Sequence, residues 1–396
     1  MKFSSIVPLI GGETIAMQQV FGKKPEYLLS YSPFENNDRH LVEYYGKTVP
    51  YILLDKVDMS NYPAKVDVVN TVCPCAGLSS LSPGAKSDSS TNDWMLKTAK
   101  YVLEQVKPKV FWGENAPRLA SKMGEPTVNK LRKIGADNGY AFMIYKTKSI
   151  LHGLSQVRDR TFYFFFQGDE IPIFPYFRRQ HKRIEETIRE VRFREDDPMK
   201  MLVSERRPSK DDPFYRFVLE KMHNSWSHQR FQGEIDKSLN PMDYIERSGI
   251  SYIEVAEWFR EKGMPEKLIN RCHTIDKKLK AGGNVMRKIT EIPKDYIGAF
   301  VGHYPNHLTH PDHDRYLTIR ECLSIMGLPE DFVLQGGLKN LNHICQNVPV
   351  TTAKDMAQSV KDHLDGKLKT FKSDFAIIDN KAQETITETS LETFFS

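Results

Sequence analysis

No apolar stretch in this chain approaches the roughly 18 residues a helix needs to cross a bilayer, which argues against a membrane-spanning protein. Cysteine is scarce, with five scattered along 396 residues. An odd, sparse set excludes a disulfide-stapled scaffold and points to a reducing, cytoplasmic setting. Neither sign of charge dominates: the formal net charge of +5 permits a nucleic-acid partner without requiring one. The segment Met1–Val7 lacks a long apolar core and a small-residue cleavage site, so no signal peptide is expected. There is no internal repeat. What remains, 40% hydrophobic and 27% charged, is an ordinary globular composition. The length suits two or three domains.

The first 170 residues alternate strand-like and helix-like runs. Strands are expected at Ser4–Leu9, Glu26–Ser32, Tyr51–Leu54, Val66–Asn70, Lys109–Trp112, Ala141–Thr147 and Thr161–Gln167. Helices are expected to Gln19 and over Asp38–Tyr45, Asp93–Gln105 and Thr127–Asn138. This β-α-β-α rhythm predicts an α/β fold with a mostly parallel sheet covered by helices. From about 170 to 290 the chain is charged and irregular, with basic clusters at Arg178–Arg183, Arg206-Arg207, Lys277–Lys280 and Arg287-Lys288. Helical patterns there cover Tyr252–Lys262 and Pro265–Lys280. Compact patterning returns after 290, with helices at Thr318–Met326 and Thr351–Leu364. The last thirty residues, polar and rich in Thr, Glu and Ser, read as a mobile tail.

Cys75 follows Pro74 just beyond the apolar run Val66–Val69. That places a thiol on a turn at the carboxyl end of a strand, where open α/β sheets bind ligands. A lone cysteine is more often a buried structural residue. Cys73-Pro74-Cys75 as a metal pair lacks further ligands, and His303, His307, His310 and His313 read as a polar loop ahead of Arg315. Other segments carry the argument: Glu114-Asn115-Ala116, Gln156-Val157-Arg158-Asp159-Arg160, Arg315–Glu321 followed by Gly327-Leu328-Pro329, and Gln346-Asn347-Val348-Pro349.

In that order, and with Pro74-Cys75-Ala76-Gly77-Leu78-Ser79, these segments resemble the DNA cytosine-5 methyltransferase family. The family's motifs read P-C-Q-G-F-S, E-N-V, Q-x-R-x-R, R-x-L-T-x-R-E with G-F-P, and G-N-A-V-P. The matches span about residues 4–167 and 295–364. The resemblance implies a Rossmann-like S-adenosylmethionine-dependent methyltransferase domain with an inserted target-recognition domain. Its expected parts are residues 1–175 and 291–366 for the catalytic domain, 176–290 for the recognition domain, and 367–396 for the tail.

The resemblance also implies the chemistry. Cys75 as thiolate attacks C6 of a flipped cytosine, Glu114 protonates N3, Arg160 holds the O2 edge, and Arg158 supports the loop or the phosphate backbone. The donor is S-adenosyl-L-methionine, and no metal is needed. Its site falls on Val7, Leu9, Gly11 and Gly12 (aligned with F-x-G-x-G-G), on Ser32 and Asp55, on Pro74, and on Asn347 and Val348. The aromatic and one glycine of the first motif are missing, and Gln346 stands in a glycine position, which leaves a modified sulfonium donor open. The expected partner is double-stranded DNA, bound by a monomeric cytoplasmic enzyme of bacterial or phage origin. Two rivals are an RNA cytosine-5 methyltransferase and a catalytically impaired DNA-binding protein of the same fold. The end of the tail, Glu388–Phe395, resembles the sliding-clamp peptide Q-x-x-L-x-x-F-F, which would dock Leu391, Phe394 and Phe395 on a clamp.

Overall fold

The computed structural model describes residues 1–57, 65–74, 77–78, 90–227, 230–231, 234, 240–283, 285, 292–302 and 304–381. Two compact units divide the chain. One comprises residues 1–182, 326–335 and 346–396; the other comprises 183–325 and 336–345.

The first unit is built on a sheet of eight strands: β1 Phe3–Ile6, β2 Leu28–Ser30, β3 Tyr51–Leu53, β4 Val68–Thr71, β5 Val110–Asn115, β6 Tyr140–Lys148, β7 Asp159–Gln167 and β8 Phe375–Asp379. Their order is β8-β6-β7-β5-β4-β1-β2-β3. All neighbours are parallel except β7, which runs antiparallel between β6 and β5. Helices α1 Gly12–Phe21, α2 Glu35–Tyr45, α3 Ser90–Tyr101, α4 Glu125–Asp137 and α8 Val350–Leu364 belong to this unit. Val68, Val69 and Phe162 through Phe166 are all fully buried, as strands covered on both faces require.

β1 ends earlier than its apolar run suggests. Val7 (φ 49°) and Leu9 (φ 51°) take left-handed backbone, which breaks the extended run after Ile6. The tail expected to begin at 367 is ordered further. Thr370–Lys372 pairs antiparallel with Glu170–Pro172, and β8 adds a parallel edge strand to β6. Phe375 stacks on Phe142 and Asp379 pairs with Lys146. The Thr- and Glu-rich composition of the last residues masked this short apolar strand. Leu391, Phe394 and Phe395 lie outside the described residues.

The second unit has its own core of Phe214, Tyr215, Phe217, Trp258, Phe259, Ile269 and Cys272. It contains the consecutive helices α5 Tyr252–Glu261 and α6 Glu266–Lys280, and α7 Ile319–Ile325. A capping box between Ser251 and Glu254 starts α5. Residues 292–325 pack here, whereas the sequence pattern suggests a place in the catalytic domain. The contacts that tie them there include a buried ion pair between Arg320 of α7 and Asp197, and backbone bonds from Val203 N to the Leu317 carbonyl and from Ile319 N to the Met201 carbonyl. Among the described residues no helix is long and apolar enough to cross a membrane.

Candidate active site

The chain leaves β1 through α1 towards β2 on one side, while β4 lies on the other. This is the switch point where open α/β sheets form a crevice at the strands' carboxyl ends. Ile6, Thr71 and Gly113 stand abreast in register across β1, β4 and β5. Three segments therefore emerge together: the Val7–Gly12 turn, the Val72–Pro74 segment, and Glu114-Asn115.

Glu114 is 4% exposed, and its carboxylate forms a close ion pair with the Arg160 Nε. Arg160 comes from β7, one residue before Thr161, the register partner of Asn115. Cys75 lies outside the described residues; the described chain reaches Pro74, which is half-buried. Cys73 is described and is a different kind of thiol. It is buried, its Sγ lies 3.3 Å from Thr71 Oγ1, and burial pushes it up to about 11. A thiol so held keeps its proton at neutral pH. Arg158 is 1% exposed, and its backbone carbonyl accepts from Ser149 N at 3.0 Å.

The donor-side candidates form two sets. Gly12 N donates to Asn347 Oδ1 at 2.9 Å, joining residues far apart in sequence. A Cβ at Gly12 would lie 2.1 Å from the Val348 carbonyl, so only glycine admits this contact. Gly11, at φ 93°, caps α1 just ahead of it. The second set is Ser32 and Asp55: Ser32 N donates to Asp55 Oδ1 at 2.9 Å, which holds the Asp55 carboxyl below its usual range. Glu35, the nearest acid to Ser32, is turned to Lys56 at 3.3 Å. Gln346 accepts from the Asn37 amide at 2.9 Å, away from Asn347's task. Among the described residues no cluster of His, Cys, Asp and Glu could hold a metal ion.

Two residues give no sign of their role in the sequence pattern. Asp38, expected as part of a plain helix, is fully buried; it accepts from Leu9 N and from the Tyr51 hydroxyl, both at 2.8 Å. It pins the left-handed turn at Leu9. Burial pushes its carboxyl up to about 7, against the lowering effect of its hydrogen bonds. An unfolded Asp ionises near 3.9, so this raised folded value makes stability fall as pH rises from about 4 to 7, by up to about 1.4 kcal/mol per unit. Asp38→Asn should remove that slope. Its melting temperature relative to wild type should climb between about pH 5 and 7.5, and a constant offset would refute the assignment. The second is Glu13, an acid directly after the glycine pair.

A family model for C-5 cytosine-specific DNA methylase matches residues 1–362. A Methanocaldococcus jannaschii protein described as "Putative type II methyltransferase M.MjaORF1200P" is 24% identical over 309 residues, covering 76% of this chain and 66% of that relative's length. Solved structures share the fold. An E. coli prophage protein described as a "putative DNA modification methyltransferase" gives a TM-score of 0.55 at 14% identity, over 92% of this chain and 99% of that one. The Entamoeba histolytica methyltransferase EhMeth gives 0.55 at 11% identity, over 92% and 98%. The S. pombe Dnmt2 methyltransferase gives 0.51 at 14% identity, over 92% and 99%. With a family model matching residues 1–362, which hold seven of the eight strands of the large sheet, the chain belongs to the C-5 cytosine-specific DNA methylase family.

Proposed function

We propose that this chain is a DNA cytosine-5 methyltransferase. The observation that carries the reading is the buried Glu114–Arg160 pair at the carboxyl end of β5, level with the β4 end that leads into Pro74-Cys75. Cytosine C6 is a weak electrophile. As the Cys75 thiolate adds to C6, the Glu114 carboxyl gives its proton to N3, so electron density leaves the ring's far side. Arg160 holds Glu114 and presents donors to the O2 edge. Addition makes C5 nucleophilic; after methyl transfer, loss of the C5 proton expels the Cys75 sulfur and N3 returns its proton.

The residues present fit S-adenosyl-L-methionine, which supplies a methyl group made electrophilic by a sulfonium. The glycine turn holds backbone close, the buried Asn347 Nδ2 has no partner among the described residues, and Asp55 keeps an oxygen for hydroxyls. Asp38 fixes the turn from behind.

A nucleic-acid partner is favoured by a segregation of charge in the second unit. The segment of α5 carries Glu254, Glu257 and Glu261 against Arg260; α6 carries Lys267, Arg271, Lys277, Lys278 and Lys280 against Glu266 and Asp276. Ile269, Cys272 and Ile275 face the core, which leaves Lys267, Lys277 and Lys278 exposed. If α6 meets phosphates, replacing Lys277 and Lys278 with alanine should reduce the slope of log affinity against log salt by about 2. An unchanged slope would remove α6 from the interface.

Trapping on a 5-fluorocytosine duplex tests the reading. A covalent adduct should form only with donor and disappear in Cys75→Ala. No adduct would point to a binding protein, and an adduct confined to RNA would reassign the substrate.

A further inference from the structure

β8 lies beyond residue 362, where the family match ends, and Asn380 and Lys381 follow it directly. Both residues bear on the stretch that carries Arg160. Asn380 is fully buried, and its amide is bonded at both ends. Its Nδ2 donates to Thr147 Oγ1 at 2.8 Å, and its Oδ1 accepts from Phe177 N at 3.0 Å and from Arg178 Nη1 at 3.1 Å. Its backbone N donates to the Lys146 carbonyl at 2.9 Å. Thr147 is the register partner of Arg160 across β6 and β7. Thr147 Oγ1 also lies 2.7 Å from His152 Nε2, and His152 Nδ1 lies 2.9 Å from the Asp355 carboxylate of α8. A buried amide so satisfied fixes the end of β8 against β6.

Lys381 is thereby delivered to the start of β7. Its backbone N donates to Asp379 Oδ1 at 3.1 Å, and its Nζ donates to Asp159 Oδ2 at 3.0 Å. Asp159 stands between Arg158 and Arg160. The Asp159 carbonyl accepts from Arg160 Nη1 at 2.6 Å, and Arg160 Nε pairs with Glu114. An unbroken run of contacts therefore joins Lys381, Asp159, Arg160 and Glu114. The Lys381 and Asp159 side chains are both partly exposed, so their ion pair adds little to stability. Its effect on geometry is larger. Successive side chains of a strand leave on opposite faces, so a carboxylate drawn to Lys381 sets the roll of the strand's first residues, and with it the direction of the next side chain.

We propose that Lys381 is a positioning residue for methyl transfer: it holds Asp159, which aligns the Arg160 guanidinium and through it the Glu114 carboxyl. The role depends on Glu114 and Arg160 serving the cytosine ring as proposed above. Lys381 itself touches no substrate. Without it every reacting group is still present but less well aligned, and small misplacements of such groups are costly in rate.

Lys381→Met keeps the aliphatic stem and removes the charge. In single-turnover methylation of a target duplex by the full chain, well below its melting temperature, the rate should fall by about five- to tenfold. DNA affinity should stay within about twofold, and the melting temperature within about 3 °C. Lys381→Arg should restore the rate to within about twofold. Asp159→Asn should lose a similar amount, and adding Lys381→Met to it should cost nothing more, because both changes act through one contact. An unchanged rate in Lys381→Met, losses that multiply in the double variant, or a rate loss matched by a falling melting temperature would each overturn the role. If wild type traps 5-fluorocytosine and Glu114→Gln slows transfer while Lys381→Met does not, the positioning role alone fails. If wild type forms no adduct, the roles of Glu114 and Arg160 fall first and this one with them.

Discussion

Glu114→Gln is expected to slow methyl transfer by about 10²–10⁴ while leaving DNA affinity within about threefold. Glutamine fills the same space at the end of β5 and its amide oxygen can still accept from Arg160. It has no acidic proton to give N3, so sulfur addition would have to push electron density onto an unprotonated ring. The substitution also has a structural side. Arg160 has a side chain only 14% exposed and would lose the charge it faces, which costs stability in its own right. Single-turnover rates must therefore be read beside thermal melts. A rate loss of this size with a melting temperature within a few degrees of wild type assigns the effect to chemistry. A parallel loss of DNA affinity and melting temperature, with the rate per bound complex intact, would reduce Glu114 to a structural residue.

The placement of Glu114 and Arg160 in the candidate site was legible because these residues sit in short runs next to strand ends. Val68–Thr71 and Val110–Asn115 are apolar enough to announce themselves, and chain connectivity alone delivers the next few residues to each strand's carboxyl end. Glu114 and Arg160 meet because β5 and β7 are neighbours, which the apolar run Phe162–Phe166 suggested only as a strand, without its antiparallel direction. The donor half was less legible. Gly12 requires glycine because Asn347 and Val348 press on it from the far end of the chain, a closeness no local pattern encodes. Asp38 looked like an ordinary polar residue in a helix, since nothing nearby in sequence shows that it will be sealed beneath Leu9. Glu13 was illegible for the converse reason: sequence displays an acid, and only the fold shows that it is fully buried in the first turn of α1. The strand Phe375–Asp379 was lost in the composition of the residues after it. The segment Arg315–Glu321 stands out for its family pattern, yet its observed contacts hold structure. Arg315 grips Glu321 at 2.8 and 3.0 Å, and Glu321 accepts from Thr318 N at 2.7 Å to start α7.

That last segment sets the second large effect. Asp197→Ala should destabilise the second unit by about 3–5 kcal/mol, because it removes the carboxylate that faces a buried guanidinium. Arg320 is 1% exposed and grips Asp197 through Nε at 2.8 Å and a terminal nitrogen at 3.1 Å, while Asp197 also accepts from Met199 N at 2.9 Å. Burial alone would raise the Asp197 carboxyl, but Arg320 and the Met199 amide together hold it below the usual range. A lowered folded value means that this contribution is in place above about pH 4 and is lost as pH falls through the lowered value. The alanine variant should therefore lose its handicap relative to wild type in strong acid. Replacing both partners with apolar residues, Asp197→Leu with Arg320→Met, should recover much of the loss, since the penalty belongs to the unmatched charge rather than to the missing pair. Urea unfolding of the three proteins, followed by intrinsic fluorescence, gives the comparison. If the double variant is as unstable as Asp197→Ala, the carboxylate matters through its cap on Met199 and not through Arg320, and residues 292–325 owe their place in the second unit to something other than this ion pair.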